Sequence, residues 1–397
     1  MFLLAIESSC DETSIAFLQQ KKKVDTNPSM FLQTVNSVEI LGSVISSQIM
    51  VHREYGGVIP ELGAREHAHN IHEVLRNCLH QAAPHFDIAS GHEMELLQKV
   101  DTICVTTNPG LISALRVGME TAKSLKFFAK QQYGKEINIV PVNHLHGHVA
   151  SCFLKESIKD TAEHVSNKPV FPHLHLLVSG GNSQIILMKS WSQWEIIGKT
   201  LDDAAGECFD KCGRMLGILY PAGVSVSQIA GVNNLNPLNF SVGMNNNAGL
   251  DMSFSGLKTA VRYDVQKQNI ENFSFEKALT NEEIETLIQA KNVDDLPSEK
   301  LRYIKKACQS IQTVIVKQLA NKLKRAIKNV HPASLGLSGG VSANPLLRAK
   351  MNDLANEAGI STVDSVFLPQ KTLTGDNAVM IGLAGMLSVS NDAVLSS

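Results

Sequence analysis

The chain has 397 residues, 44% of them apolar and 19% charged, which suits two domains or two lobes around a cleft and excludes wholesale disorder. A formal net charge of −2 excludes holding nucleic acid by bulk electrostatics and leaves only a local basic patch for that purpose. No apolar run is long enough for a bilayer, and Glu7, Asp11 and Glu12 follow the apolar start too closely for a signal peptide.

In chain order, Phe2–Glu7 reads as a strand entering the polar turn Ser8-Ser9-Cys10-Asp11-Glu12-Thr13, with Ile15–Leu18 leaving as a second strand. Gln19–Ser37 is Lys-rich and polar and reads as a surface insertion. Arg65–Leu79 and Ala114–Ala129 carry helical patterns, and Lys155–Lys168 reads as a charged loop. Leu174–Val178 then enters Ser179-Gly180-Gly181-Asn182-Ser183, with Gln184–Met188 leaving it. Asn233–Gly249 and Asn281–Lys300 read as solvated loops, and Ile304–Ile327 as a long amphipathic helix. Ser334–Leu337 runs into Ser338-Gly339-Gly340-Val341-Ser342, after which Asn344-Pro345 opens a helix. Ala378–Leu387 closes the series as another helix. Two strand–turn–strand units and one strand–turn–helix unit, far apart in sequence, predict a duplicated α/β architecture.

The seven cysteines are scattered and form no C-x-x-C pair, which predicts reduced thiols. Cys208 and Cys212 share a helical face and read as two buried thiols rather than a zinc site.

The sharpest chemical feature is Asn143-His144-Leu145-His146-Gly147-His148. On a helix, His144 and His148 point the same way one turn apart and can meet one metal ion, while His146 points away. Spacing alone leaves open a helix with merely capping or exposed histidines. Leu145 stands where a zinc protease carries its general-base Glu, which counts against peptide hydrolysis by this pair. A third ligand is available in Asp376, at the start of the last helix, although an ordinary N-cap role fits its local sequence better. The Ser-Gly-Gly turns bring successive backbone N–H groups where a phosphate can approach, and Asp11–Glu12 suits a hydrated cation or an amine. Asp203, Glu207 and Asp210 are spaced to share one side of a helix, where a carboxylate can take both hydroxyls of a ribose, or form a solvated acidic face.

These runs, in this order, resemble the tRNA threonylcarbamoyladenosine synthesis family, the TsaD group once labelled O-sialoglycoprotein endopeptidases. The resemblance is carried by Ile6–Thr13, Tyr55–Leu62, Pro109–Leu111 with Leu115–Gly118, Asn143–His148, Leu177–Gly181, Asp202–Lys211, Ser253–Ala260, Ser338–Asn344 and Asp376–Ala378. It covers nearly the whole chain outside the four polar insertions. Three positions depart from the common pattern: Ser8 stands for Thr, Asn182 for His after the Ser-Gly-Gly turn, and Ala222 for a Gly after Pro221.

The resemblance implies an α/β fold of the ASKHA class, shared with actin, Hsp70 and sugar kinases, with two ribonuclease-H-like lobes around a nucleotide cleft. It places an N-terminal lobe at 1–142, a C-terminal lobe at 143–375, and a helix returning to the first lobe at 376–397. It implies transfer of an L-threonylcarbamoyl group from threonylcarbamoyl-AMP to N6 of adenosine 37 in ANN-decoding tRNAs, releasing AMP. His144, His148 and Asp376 become the ligands of one divalent ion, iron or zinc. Leu177, Val178, Ser179, Gly180, Gly181, Asp210, Gly223 and Asn344 become contacts to ATP, AMP or the acyl-adenylate, and Asp11 and Glu12 the catalytic positions. Partners implied are tRNA, a separate adenylate-forming enzyme, and a second copy of the chain or auxiliary subunits, without a membrane. The Asp-Ala-Ala-Gly-Glu run with Lys- and Asn-rich insertions points to the mitochondrial matrix, with the cytoplasm as alternative. A zinc metalloprotease and a non-catalytic nucleotide-binding scaffold are the competing classes. Leu145 disfavours the first, and the presence of all three candidate ligands disfavours the second.

Overall fold

The computed structural model describes residues 1–21, 37–155, 163–166, 169–232, 238–240, 249–268, 278–361 and 365–395. The chain forms two compact units, one made of Met1–Lys168 with Pro369–Ser397, the other of Pro169–Leu368.

In the first unit, β1 (Phe2–Glu7), β2 (Glu12–Lys21) and β3 (Ser37–Ser47) form an antiparallel meander. Beside β1 run β4 (Thr102–Asn108) and β5 (Asn138–Asn143), both parallel to it. The order is β5-β4-β1-β2-β3, extended at the β3 edge by the short β7 (Glu163–Ser166) and then β6 (Leu154–Lys155). The expected loop at Lys155–Lys168 thus contains paired backbone, with Val38 opposite His164. Helices α1 (Ile49–Arg53), α2 (Pro60–Ala82) and α3 (Ile112–Tyr133) follow β3 and β4. The short α4 (His144–Ser151) continues directly from β5.

The second unit repeats the plan. Strands β8 (His173–Val178), β9 (Ser183–Met188) and β10 (Trp194–Lys199) form the meander, with β11 (Ser334–Ser338) and β12 (Val366–Phe367) parallel to β8. The order β10-β9-β8-β11-β12 matches the five main strands of the first sheet, so the duplication predicted from three strand–turn segments is a duplication of five-stranded sheets. The apolar alternation of β8 puts Leu174, Leu176 and Val178 into one core with helices α5 (Ala205–Met215), α6 (Ala222–Ala230), α7 (Ser255–Lys267) and α9 (Glu299–Val330).

Three expectations change. The first lobe does not end at residue 142, because β5 pairs with β4 and α4 packs against α11 (Ala378–Leu395), which itself lies on β1, β2 and β5. Asn281–Lys300 is no loop. Thr280 and Glu283 form a capping box for α8 (Asn281–Gln289), and the few apolar residues Leu287, Val293 and Leu296 are buried. Helix α9 is not half-solvated: Lys305 and Lys322 are buried and donate to the carbonyls of Ile229, Leu287 and Gly249. The expected loops Gln19–Ser37 and Asn233–Gly249 fall mostly outside the described residues. No helix among the described residues is long and apolar enough to cross a membrane.

A buried polar seam crosses β8 and β11. His173 Nδ1 is 2.7 Å from Ser334 Oγ, His173 Nε2 is 3.2 Å from His175 Nδ1, and His175 Nε2 is 2.8 Å from Ser338 Oγ. Burial pushes the His173 imidazole down to about 3. The unfolded imidazole takes a proton near its ordinary value of about 6.5, whereas the folded one refuses it. Stability is therefore full above that value and falls as the pH drops below it, by up to a few kcal/mol from this group. His173→Phe is expected to flatten the loss of denaturant midpoint between roughly pH 6.5 and 4. An unchanged slope would assign the acid sensitivity elsewhere.

Candidate metal centre and glycine-rich turns

Asn143 caps α4, its Oδ1 accepting from Leu145 N at 2.9 Å, a contribution of about 1 kcal/mol that fixes where the helix starts. Helical spacing then buries His144 and His148 on one face and leaves His146 exposed, as the sequence predicts. Gly147 lets α11 approach that face, since a Cβ there would lie 2.8 Å from Ile381 Cδ1 and 3.1 Å from Met380 Cγ. At the head of α11, Asn377 is the cap. Its Oδ1 accepts from Met380 N at 3.0 Å and its Nδ2 donates to Gly375 O. The local reading of Asp376 as an N-cap is therefore wrong by one residue, and the Asp376 carboxylate is left to face α4.

Asp376 Oδ1 lies 3.2 Å from His148 Nε2 and 3.5 Å from His144 Nε2, and the three ligand atoms all fall within 4.8 Å of one another. The two short separations match the ligand spacing around an ion with bonds of about 2.1 Å. Both ring nitrogens of His148 are buried; Nδ1 has no hydrogen-bond partner among the described residues, and Nε2 faces the Asp376 carboxylate. Burial keeps water from both atoms of that contact, and an ion between Nε2 and the carboxylate would give each a strong partner. The donor set fits a divalent ion of the zinc or iron type.

The electrostatics are those of a cation site. Burial opposes charge on His144, but Asp376 and then Glu7 outweigh it and raise the imidazole to about 9. Burial likewise opposes charge on Asp376, and the His144 and His148 side chains outweigh it and bring the carboxyl to about 2. Glu12 goes the other way: burial first, then the negative charges of Asp11 and Asp376, push it up to about 10.

Glu7 is the residue that sequence reasoning missed. It ends β1 fully buried, accepting from Ser9 N at 2.6 Å and from Thr106 Oγ1 at 2.5 Å, with His144 Nδ1 3.2 Å from Oε2. Burial pushes its carboxyl up, yet the charge of His144 and these hydrogen bonds leave it below its ordinary value. With His144 Nδ1–H donating to Glu7, the Nε2 side of the ring is directed toward Asp376 and His148.

The other predicted residues lie in the second unit. Ser179–Asn182 is a closed turn, with Ser179 N donating to Asn182 O at 2.8 Å, and Gly180 and Gly181 stand open. The side chains of Leu177 and Val178 are buried, so only their backbone can meet a ligand. The second turn lies alongside, at the carboxyl end of the parallel neighbour β11. Gly339 has φ +85°, and a Cβ there would stand 2.3 Å from Val178 O, so both conformation and space require glycine. Paired loops at the carboxyl ends of parallel strands are where open α/β sheets bind ligands.

Of the three carboxylates expected to share a helix face, Asp203 precedes α5 and pairs with Lys211 at 2.7 Å, and Glu207 pairs with the same lysine at 2.8 Å. Asp210 instead accepts from Gly223 N at 2.8 Å, tying α5 to the start of α6. Asn344 caps α10 (Pro345–Glu357) and spends both amide hydrogens on Ser227 Oγ and Gln312 Oε1. Its own N–H donates to Val341 O at 3.0 Å, joining the second turn to that helix. Cys208 and Cys212 are buried free thiols, 3.9 Å apart at sulfur.

The repeated strand order defines a duplicated ribonuclease-H-like chain, the α/β class of actin, Hsp70 and the sugar kinases. Within that class the chain belongs to the TsaD family, "tRNA N6-adenosine threonylcarbamoyltransferase", whose sequence profile matches residues 39–383. It is 35% identical over 401 aligned residues to the tRNA N6-adenosine threonylcarbamoyltransferase of Thermosipho africanus, covering 100% of this chain and 98% of the relative. It is 37% identical to the one from Porphyromonas gingivalis, covering 97% and 92%, and 34% identical to that of Clostridioides difficile, covering 98% and 93%. The protein is an acyltransferase that places a threonylcarbamoyl group on N6 of adenosine in tRNA.

Proposed function

We propose that His144, His148 and Asp376 hold one divalent ion, iron or zinc, and that this ion is needed for threonylcarbamoyl transfer to adenosine 37 of ANN-decoding tRNAs. The observation that carries the reading is the convergence of the three ligand atoms within 4.8 Å of one another, with the His148 side chain fully buried. When bound, the ion supplies Lewis-acid stabilisation of the charge that develops on the acyl-adenylate. The chain's own residues do the rest. The amides of Ser179–Asn182 and Ser338–Ser342 bind the phosphate of threonylcarbamoyl-AMP, Asp210 orients the ribose, and Leu177, Val178, Gly223 and Asn344 shape the surround. Asp11 and Glu12 orient the threonyl group or the incoming N6 amine. Attack of N6 on the carbamoyl carbon forms the new C–N bond and breaks the bond to the AMP phosphate oxygen, and that phosphate can take the amine proton.

A separate adenylate-forming enzyme supplies the substrate, and the chain works as a homodimer in the mitochondrial matrix. The Asp203–Glu207 run and the Lys- and Asn-rich insertions support that branch.

The test is tRNA modification by the purified protein with threonine, bicarbonate, ATP and the adenylate-forming enzyme, before and after chelation. Activity should vanish on chelation and return with one equivalent of Fe(II) or Zn(II). An unchanged rate in protein shown to be metal-free would sink the metal assignment. Activity that needs added subunits would overturn the homodimer.

A further inference from the structure

The turn that carries Asp11 and Glu12 is held by two buried histidines that the transfer chemistry leaves unused, one directly and one through Gln48. His67, on α2, has Nε2 3.0 Å from Cys10 O and Nδ1 2.7 Å from Thr13 Oγ1. His52, on α1, has Nε2 3.2 Å from Gln48 Oε1, and its Nδ1 accepts from Ile59 N at 3.3 Å. Gln48 N in turn donates to Asp11 O at 2.9 Å. His52, His67 and Thr13 have no exposed surface, and Gln48 is only 2% exposed.

The proton positions follow from the partners. A carbonyl oxygen only accepts, so His67 carries its proton on Nε2, and its Nδ1 lone pair takes the Thr13 hydroxyl proton. The Ile59 amide only donates, so His52 Nδ1 is a lone pair and Nε2–H donates to Gln48 Oε1. Both rings are thereby locked in the Nε2–H tautomer.

What they lock matters. The Cys10 carbonyl belongs to the peptide unit before Asp11, and the Asp11 carbonyl to the unit after it. Anchoring both planes fixes the backbone dihedrals of Asp11 and the exit direction of Glu12. We propose that His67 and the His52–Gln48 pair are positioning residues that fix the Asp11–Glu12 carboxylates relative to the His144/His148/Asp376 trio. This rests on the role assigned above to Asp11 and Glu12, and the test separates the two.

His67→Phe keeps the ring and removes both contacts, whereas His67→Gln restores an amide donor near the Nε2 position. His67→Phe is expected to lower kcat by about 10- to 100-fold, the effect of a misplacement near 1 Å, with unchanged metal content and unchanged KM for the acyl-adenylate. His67→Gln should recover most of kcat. Asp11→Asn and Glu12→Gln are measured alongside. If either is inactive while metal-replete His67→Phe turns over at the wild-type rate, the positioning role is overturned and the turn's role stands. If both acid variants are fully active, the turn's role falls and takes the positioning role with it. If His67→Phe fails through loss of metal, the histidine supports the metal centre instead and the proposal is wrong. Nitrogen-15 spectra of the wild-type protein check the premise without any variant. Both rings should show the Nε2–H tautomer, and an Nδ1–H signal at His67 overturns it.

Discussion

His144→Ala is expected to remove the bound metal and lower tRNA threonylcarbamoylation by about three orders of magnitude while the protein stays folded. The size follows from what the substitution leaves behind. One imidazole and one carboxylate remain, too few to hold a divalent ion against solvent, and the Glu7 carboxylate loses the imidazolium that offsets its burial. Some loss of stability should accompany this, because Glu7 keeps its contacts to Ser9 N and Thr106 Oγ1 but not the compensating charge. His146→Ala is the internal control. It lies two residues away on the exposed side of the same helix and should change neither metal content nor rate. Parallel metal analysis and single-turnover transfer assays decide the matter. A His144→Ala protein that retains both metal and rate would end the assignment, and equal damage from His146→Ala would reduce it to helix disruption.

How much of this site the sequence discloses depends on the distance over which each contact acts. The pairing of His144 with His148 is a property of helix geometry and is legible at a spacing of four. Asp376 is separated from them by the whole of the second unit, and its local sequence argues for a cap. Only the structure shows that Asn377 takes that duty. Glu7 is harder still, because it ends an apolar strand and its meaning comes from Thr106 and His144, 99 and 137 positions away. His52 and His67 look like polar positions on the exposed sides of their helices until burial is known. The duplicated fold was visible as three strand–turn segments because alternation and glycine turns are local signals. At Asn281–Lys300 the acidic majority hides Leu287, Val293 and Leu296, the apolar minority that tertiary packing uses. Strand order and the true division of the units needed contacts that no local pattern carries.

Glu7→Gln tests the contact furthest from local legibility, and its outcome follows from proton bookkeeping alone. In the native site Ser9 N, 2.6 Å from Oε1, is a fixed backbone donor, while the Thr106 hydroxyl facing Oε2 can rotate. A glutamine at this place has one acceptor and one donor. Aiming its amide nitrogen at Ser9 N would bury two opposed donors, a penalty of about 1–3 kcal/mol for each unmet group. Aiming its oxygen there leaves the nitrogen facing Thr106 and His144, and Thr106 can turn to accept. The second orientation wins. His144 Nδ1, 3.2 Å away in the native structure, then faces a donor and becomes the acceptor, while the Ser9 hydroxyl, also 3.2 Å from Nδ1, turns to donate to it. The ring proton moves to Nε2, the atom that faces Asp376 and His148. Glu7→Gln should therefore fold, show an Nε2–H tautomer at His144 in the metal-free protein, and bind metal about 10- to 100-fold more weakly. Transfer activity should fall at limiting metal and recover as metal is added in excess, which a purely structural defect would not do. Chelator-competition titration measures the affinity, and a value within twofold of wild type would show that Glu7 does not set the histidine's proton.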